Sequence, residues 1–433
     1  MPRSIPTAII ILAISVSCGF GHSSAHAQSM AHPDSVSPLK PNPYLEHRDP
    51  WRWDIRSQVF LRAGKLVKFN GEYREERTGS WDVEDIEFVY PIARQGGHYW
   101  SPNEEITATL RIGDVKFTPD AKILQTPDSS APYIWWRSEH KYRWVHQLHM
   151  TQVSHVVSAD TRFNEQLAKE IPWPKSWPAE ASAYLTPIID QINDPVDTKG
   201  QDRLIELVDQ WLEGNDPKSI DEVTLAKYLT GKVLDYVRVT RSNTFLAPAV
   251  HTITAGDILD GLSVFPSSAW SGYLVRSADQ VALKPAGSGL DTSTMLTAVL
   301  RAAGVPARLV VCYKTDEFGH IDERVVALVE FALYDAKRDQ ILWIPIDPEL
   351  LRDNGRRSSN YQQRWDYFGN HDQLRNYAPI SHYFHPPVNY KAFGNPGLYG
   401  IKTTPDIGKH VYQVISIDVV NSAIRGDEIN QRP

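Results

Sequence analysis

Three side chains in the second half of the chain could together perform acyl transfer: Ser288, His320 and Asp347. A hydroxyl attacks a carbonyl carbon when a histidine accepts its proton and a carboxylate orients that histidine. Ser288 lies at the predicted start of a helix, and His320 lies on a loop that leads into a predicted strand. A simpler interpretation is that Ser288 caps the helix and that His320 faces solvent. The sequence leaves both interpretations open.

Thiol and metal chemistry have little support in the sequence. Of its two cysteines, Cys18 falls in an apolar leader, which leaves Cys312 as the only thiol of the processed chain. Cys312 lies within an apolar run, where a lone cysteine usually acts as a small hydrophobic side chain. His382 and His385 form a His-x-x-His pair near Asp372, but a metal site needs three or four ligands of suitable geometry. We therefore predict neither a metal nor a cofactor.

The elements that must position these groups are a helix and the strands that follow it. Apolar residues recur at helical spacing from Leu296 to Ala303, and Gly304 suits the left-handed position after the last turn. The run from Leu309 to Tyr313 predicts a strand, and two more strands are predicted at 325–333 and 341–346. The start of such a helix favours an anion, because its N–H groups lack partners. A nucleophile would be best placed there.

Three segments of this region resemble the core of the transglutaminase-like superfamily, the papain-like cysteine hydrolases and acyl-transferases. They are Leu300–Arg308 with the sequence LRAAGVPAR, Val326–Glu330, and Trp343–Pro348 with the sequence WIPIDP. The resemblance covers roughly Val223 to Pro348, which is under a third of the chain. It implies a helix-plus-sheet core with a groove for a peptide or another amide.

The resemblance also implies a catalytic triad, of which this chain keeps one member. The cysteine position falls on Gly289, the histidine position on Val326, and the aspartate position on Asp347. Without a thiol and an imidazole, the carboxylate has nothing to activate or orient. We therefore predict a catalytically inactive domain that acts as a binding or scaffolding module, with Trp343 and Glu330 kept as binding residues. Asp347 is expected to cap a turn or bind backbone amides.

Two other hypotheses remain open. The first is an active amide hydrolase or acyl-transferase that uses the relocated groups Ser288, His320 and Asp347. The second is an envelope protein whose N-terminal β-sandwich binds a glycan or a partner. Under the leading hypothesis, we expect a peptide, protein or cell-envelope ligand in the vestigial groove.

Composition and the N-terminus restrict the location and the partners. The net charge of −7 and the lack of a basic aromatic stripe exclude nucleic acid as a partner. Arg3, the apolar run 7–16 and the Ala25–His26–Ala27 site predict a secretory signal cleaved after Ala27. No later run approaches the ~20 apolar residues of a membrane span. We predict a bacterial protein that is periplasmic or secreted.

The fold class predicted from these patterns is α+β. Period-two alternation from Trp51 to about Asp160 predicts an antiparallel β-sandwich ahead of the helix-plus-sheet core. The predicted segments are a signal peptide (1–27), a Pro-rich linker (28–50), the sandwich (51–160), a connector with a helix (161–221), the core (222–350) and a Tyr/Pro-rich tail with a closing strand (351–433).

Overall fold

The structure is a computed structural model. It describes residues 42–423 apart from 70–71, 78, 102–106, 113–114, 118–121, 126–130, 187–197, 241–274, 316–320, 385–389, 391–398 and 408–410. These residues all belong to one compact unit that spans residues 36–433. The predicted signal peptide, most of the linker and His320 lie outside the described residues.

Helices and antiparallel strands occur together, which confirms the predicted α+β class. The described helices are α1 (Glu165–Ala168), α2 (Ala179–Ser182), α3 (Thr198–Leu212), α4 (Glu222–Tyr236), α5 (Ala278–Leu283), α6 (Gly289–Ala302) and α7 (Pro348–Asp353). The described strands are β1 (Leu45–Phe69), β2 (Glu72–Arg77), β3 (Trp81–Val83), β4 (Asp85–Pro91), β5 (Tyr99–Trp100), β6 (Thr107–Ile112), β7 (Val115–Phe117), β8 (Lys122–Gln125), β9 (Pro132–Ser138), β10 (Tyr142–Val145), β11 (Gln147–Phe163), β12 (Arg238–Val239), β13 (Ala286–Gly287), β14 (Ala307–Thr315), β15 (Ile321–Asp335), β16 (Gln340–Ile346), β17 (Tyr377–Ser381), β18 (Gly400–Thr404) and β19 (Val411–Ala423).

Two antiparallel sheets from the first part of the chain share one hydrophobic core. The larger sheet has the order β19-β1-β11-β6-β7, with β2 also paired to β1 and β5 to β11. The smaller sheet has the order β18-β4-β9-β8. Alternate residues of β1, among them Trp53 and Ile55, pack in the same core cluster as Phe88 of β4 and Trp136 of β9. Successive side chains of a strand point to opposite faces, so burial of every second residue explains why these segments form strands of packed sheets.

The end of the chain completes both of these sheets. The predicted closing strand is β19, which pairs with β1 from Trp51 opposite Ala423 to Ala63 opposite Val411. Strand β18 pairs with β4 in the smaller sheet. The segment 351–433 therefore contributes strands to sheets that begin near residue 45. The predicted boundaries at 160, 221 and 350 stay predictions.

One predicted strand is broken in two. Apolar or aromatic residues alternate from Tyr142 to Met150 as they would in one strand, but the structure ends β10 at Val145 and begins β11 at Gln147. Trp144 has a φ of 58° and lies within β10, where the pairing with β3 shifts register between Tyr142 and Val145. Its side chain is 75% exposed, while Leu148 and Met150 are buried.

The core sheet and its helix form as the sequence predicts. The sheet has the order β16-β15-β14-β17, and its neighbouring strands are antiparallel. Helix α6 packs against β14 and β15. Gly304 follows the helix with a φ of +82°, a conformation that glycine adopts without strain. The turn allows the chain to enter β14 directly.

Helix α4 begins at Glu222 and is capped by Asp221. Ser219 and Glu222 fit the pattern of a capping box, but Asp221 is the cap, and its Oδ1 accepts the Thr224 N–H at 2.8 Å. Ser219 belongs to a short 3₁₀ turn that precedes the helix. Glu222 becomes the first helical residue and is buried without a hydrogen-bond partner among the described residues. The capping-box pattern of residues 219–222 therefore does not form, because the adjacent Asp221 takes the N–H group at the helix start.

Candidate functional site

Side chains at the start of α6 bond to the free backbone N–H groups there. The Ser288 Oγ accepts the Asp291 N–H at 3.2 Å, and the Asp291 carboxylate accepts the Ser288 N–H at 3.0 Å. Arg276 donates its backbone N–H to Asp291 at 2.8 Å and its guanidinium to the same carboxylate at 3.2 Å. Both Ser288 and Asp291 are buried. Ser288 therefore acts as a helix cap, and a carboxylate already occupies the electropositive end of the helix.

The positions that match the family's cysteine and histidine lie close together. Gly289 is the first residue of α6 and is half-buried. The Ser293 hydroxyl donates to Ala327 O at 2.6 Å and lies 3.3 Å from Gly289 O. Val326, next to Ala327 in β15, is 8% exposed. One hydroxyl thus connects the helix start with the strand that would carry the histidine.

Cys312 lies directly opposite Val326 on the neighbouring strand β14. The thiol is completely buried, and this burial raises its pKa well above the usual value, with Glu330 and Asp347 adding to the effect. A nucleophilic cysteine needs access to solvent and a lowered pKa. Cys312 has neither, so its environment is that of a core residue.

The carboxylate of Asp347 bonds to neighbouring groups of the fold. Its Oδ1 accepts the Leu350 N–H at 2.9 Å and so caps α7, which confirms the expectation that it binds a backbone amide. Its Oδ2 accepts the Tyr377 hydroxyl at 3.0 Å and lies 3.4 Å from His371 Nε2. Burial opposes the charge, but these contacts, with His371 first, lower the pKa of Asp347. The carboxylate is therefore ionised and fully engaged.

The histidine beside Asp347 is one that the sequence analysis did not select. His371 comes from the segment after the core and pairs through its backbone with Thr161 of β11, at 2.9 and 3.0 Å. Its Nδ1 accepts the Gln373 N–H at 3.2 Å, while Nε2 faces Asp347. Both ring nitrogens are thus occupied, and the ring is buried. A His–Asp pair exists, but no thiol bonds to its histidine among the described residues.

Glu330 and Trp343, the predicted binding residues, belong to a buried cluster around Arg308. Arg308 Nε donates to Glu330 at 2.9 Å, and the guanidinium lies 3.9 Å from the centre of the Trp343 ring. The Gly97 N–H also donates to Glu330, at 2.6 Å. Burial would raise the pKa of Glu330, but Arg308, His98 and Gly97 lower it to about 2. Glu330 is completely buried, so it joins the loop before β5 to the core sheet.

Gly97 is required at this junction. A Cβ atom there would lie 2.0 Å from the Trp343 carbonyl oxygen. The loop could then not approach the core sheet closely enough for its N–H to reach Glu330. The close contact therefore depends on a residue without a side chain.

His382, one of the two histidines weighed as metal ligands, has other partners. His382 Nε2 lies 2.9 Å from the Tyr99 hydroxyl, and Nδ1 lies 2.9 Å from Leu309 O. Burial lowers the pKa of His382 to about 3. His385 lies outside the described residues. In the part of the chain that the structure describes, no three His, Cys, Asp or Glu side chains form a metal-binding group.

The described contacts do not bring Ser288 and Asp347 together. Ser288 bonds with Asp291, whereas Asp347 bonds with Leu350, Tyr377 and His371. The two regions are linked through α7, whose Arg352 donates to Thr292 Oγ1 of α6 at 3.2 Å. The same guanidinium donates to Leu234 O and Val237 O at the end of α4. Arg352 thus ties α7 to the first turn of α6 and to the end of α4.

Comparison with known proteins supports the resemblance found in the sequence. Residues 267–348 match the profile of the transglutaminase-like superfamily, so these residues are a transglutaminase-like segment. No curated protein matches the chain. None of the described helices is both long and apolar enough to cross a membrane.

Two solved structures show a distant likeness. A "Putative Cysteine Protease" from Cytophaga hutchinsonii shares 10% identity over 88% of this chain and 93% of its own, with a TM-score of 0.41. A "putative protease" from Parabacteroides distasonis shares 11% identity over 61% of this chain and 46% of its own, with a TM-score of 0.21. Because both TM-scores are below 0.5, neither likeness supports a conclusion about the fold or the site.

Proposed function

We propose that the transglutaminase-like segment binds a peptide or another amide ligand without turning it over. This proposal rests on the hydrogen bonds that the Asp347 carboxylate makes. Its oxygens are committed to Leu350, Tyr377 and His371. The positions of the thiol and the imidazole hold Gly289 and Val326. The framework of the site is retained, while the groups that would react are replaced.

The other candidate nucleophiles add support. Ser288 is buried as a cap, and Cys312 is buried with a raised pKa. Gly289 is half-buried, in contrast to these two residues. A ligand can therefore approach the helix start at the position from which the side chain is missing. Binding at this position would make the domain a scaffolding module in the cell envelope.

A back-substitution tests whether catalysis has been lost. Gly289→Cys with Val326→His restores two of the three reactive groups, and each single variant serves as a control. Hydrolysis of a glutaminyl peptide and its transfer to an amine are measured for all four proteins. We expect an inert wild type and inert single variants, and turnover by the double variant would show that Asp347 can still orient a histidine. Turnover by the wild type that disappears in Ser288→Ala would establish relocated chemistry and reject the proposal.

A blocking substitution tests the binding part of the proposal. Gly289→Trp fills the helix start, whereas Lys175→Trp adds the same side chain at an exposed position elsewhere. Fluorescence anisotropy with dansylated glutaminyl peptides measures affinity. We expect Gly289→Trp to weaken binding at least about tenfold, which is about 1.4 kcal/mol, and Lys175→Trp to leave it unchanged. Equal affinity in all three proteins would place the ligand elsewhere.

We further propose that the protein is exported to the periplasm or secreted. The support is the signal-like composition of residues 1–27. Expression of the full chain in a Gram-negative host, followed by fractionation and N-terminal sequencing, tests this. A mature protein that begins at Gln28 outside the cytoplasm is the expected result. An intact N-terminus in the cytoplasmic fraction would reject it.

A further inference from the structure

A second candidate site does not involve the start of α6. A cleft of about 600 Å³ opens where β11 leads into α1, and neither Gly289 nor Asp347 lines it. Its volume falls within the range of about 300–1,000 Å³ that is typical of ligand pockets. Its walls come from three places: the start of β1, residues 162–169 and residues 362–370. Most of its lining side chains are polar.

Two arginines give the cleft its charge. Arg162 and Arg364 line it and are exposed. Neither has an ion-pair partner among the described residues, although the whole chain carries a net charge of −7. Glu46, which also lines the cleft, forms an ion pair with Arg48 at 2.8 Å. It lies directly opposite Arg162 on the neighbouring strand, and the charges of Arg48 and Arg162 lower its pKa. Guanidinium groups in a concave surface raise the local concentration of anions.

The floor of the cleft carries a further positive charge. Glu165 is held between Lys169 at 2.9 Å and Lys227 at 2.7 Å. Lys227 is buried and lies 5.5 Å from the centre of the Trp365 ring and 5.6 Å from that of Phe368. One carboxylate thus meets two ammonium groups. Four cations in and behind the lining face two carboxylates, which leaves an excess of positive charge.

The cleft also offers amide groups. The Asn370 Oδ1 accepts the Phe163 N–H at 3.0 Å, and its NH₂ group has no partner within the described ranges. Gln166 and Gln362 add further side-chain amides to the lining. Such groups pair with peptide N–H and C=O groups. A ligand that carries both carboxylates and amides would match both kinds of lining residue.

We propose that this cleft binds an acidic peptide segment, whose carboxylates pair with Arg162 and Arg364. Guanidinium groups bind carboxylates and phosphates through paired hydrogen bonds. The lining carboxylates of Glu46 and Glu165 favour a carboxylate ligand over a phosphate. They repel the doubly charged phosphate group more strongly than they repel single carboxylates spaced along a neutral peptide backbone. This site goes beyond the proposed function and does not depend on it.

The test uses the full-length protein and a fluorescein-labelled peptide of alternating glutamate and glycine. A matched peptide with glutamine in place of glutamate controls for charge. Arg162→Gln with Arg364→Gln removes both guanidinium groups. Arg143→Gln removes an exposed arginine that does not line the cleft. All these positions are exposed, so the variants are expected to fold, which circular dichroism checks.

We expect the double variant to bind the acidic peptide at least about tenfold more weakly than wild type. Arg143→Gln should bind like wild type, and raising NaCl from about 50 to about 300 mM should weaken wild-type binding. Three results would each overturn the proposal: no binding by wild type, equal binding of the glutamine peptide, or equal binding by the double variant. Pyrophosphate that competes at a lower concentration than the unlabelled acidic peptide would assign the cleft to phosphate instead. Gly289→Trp should leave this binding unchanged, which separates it from binding at the start of α6.

Discussion

At the scale of single residues, partners decide what a side chain does. Asp347 occupies the position of a catalytic aspartate in the resemblance, but its oxygens hold a helix end, a tyrosine and a histidine. Glu330 likewise matches a family position and holds a buried arginine. Buried polar groups that lose a partner destabilise a fold strongly. The contacts of Asp347 and Glu330 therefore give both residues a structural role.

The role of Asp347 can be measured by replacing it with asparagine. Asp347→Asn removes the charge that attracts His371 and weakens the cap of α7. We expect the free energy of unfolding to fall by about 1–3 kcal/mol, measured by urea denaturation. Asp353→Asn, at an exposed position near the end of the same helix, should change it by less than about 0.5 kcal/mol. Equal effects of the two substitutions would contradict a structural role for Asp347.

The thiol of Cys312 should be inert in the folded protein. It is completely buried, and burial raises its pKa, so alkylation must wait for the chain to open. We expect iodoacetamide to modify Cys312 at least about 100-fold more slowly in the native state than in urea. Peptide mapping by mass spectrometry distinguishes Cys312 from Cys18. Rapid native labelling of Cys312 would show that the thiol is accessible.

At the scale of elements, local sequence patterns predict the helix and strands of the core well. They do not predict contacts between residues that are far apart in the sequence. Helix α6 and the strands β14 to β16 follow from apolar spacing and from the glycine that ends the helix. His371 could not be selected, because it is held by pairing with Thr161, far away in the sequence. The left-handed backbone at Trp144 was not predicted either, because it occurs without the glycine that signals such turns.

The start of α4 predicts a pH dependence of stability. Burial, with a contribution from Asp221, raises the pKa of Glu222 from 4.5 to about 8. The folded protein thus holds this proton more tightly than the unfolded chain. The associated stability is complete below about pH 4.5 and is lost as the pH rises through about 8. A charged Glu222 would be stabilised at the start of a helix, but the cost of burying the charge is larger than this stabilisation.

Glu222→Gln should remove this dependence. Between pH 5 and pH 9, we expect wild type to lose on the order of 2 kcal/mol of unfolding free energy relative to the variant. Glu180→Gln, at an exposed position of α2, should follow wild type at every pH. Urea denaturation at several pH values provides the measurement. Parallel curves for wild type and Glu222→Gln would contradict a buried, protonated Glu222.

At the scale of the whole molecule, the two ends of the described chain depend on each other. Strand β19 covers one side of β1 over the residues 51–63, and β11 covers the other side. Strand β18 similarly pairs with β4. The region 51–160 therefore has sheet neighbours that come from the end of the sequence. An isolated fragment of that region would expose a strand edge of β1.

Truncation tests this dependence. Removing residues 408–433 deletes β19, and we expect the product to aggregate or to be digested rapidly by protease. Removing only residues 424–433 keeps the whole strand and should preserve the melting temperature within a few degrees. Size-exclusion chromatography and limited proteolysis compare the two. A monomeric, protease-resistant product without β19 would show that the sheet does not need its last strand.

The pairing of β1 with β19 has a consequence for how the protein is made. Trp51 lies opposite Ala423, so β1 leaves the ribosome long before its neighbour has been translated. At about 5–20 residues per second, the roughly 370 intervening residues take about 20–70 s. During that interval one edge of β1 remains open to pairing with other nascent chains. Production of this protein should therefore depend on chaperones that shield the growing chain, more than on the stability of the finished fold.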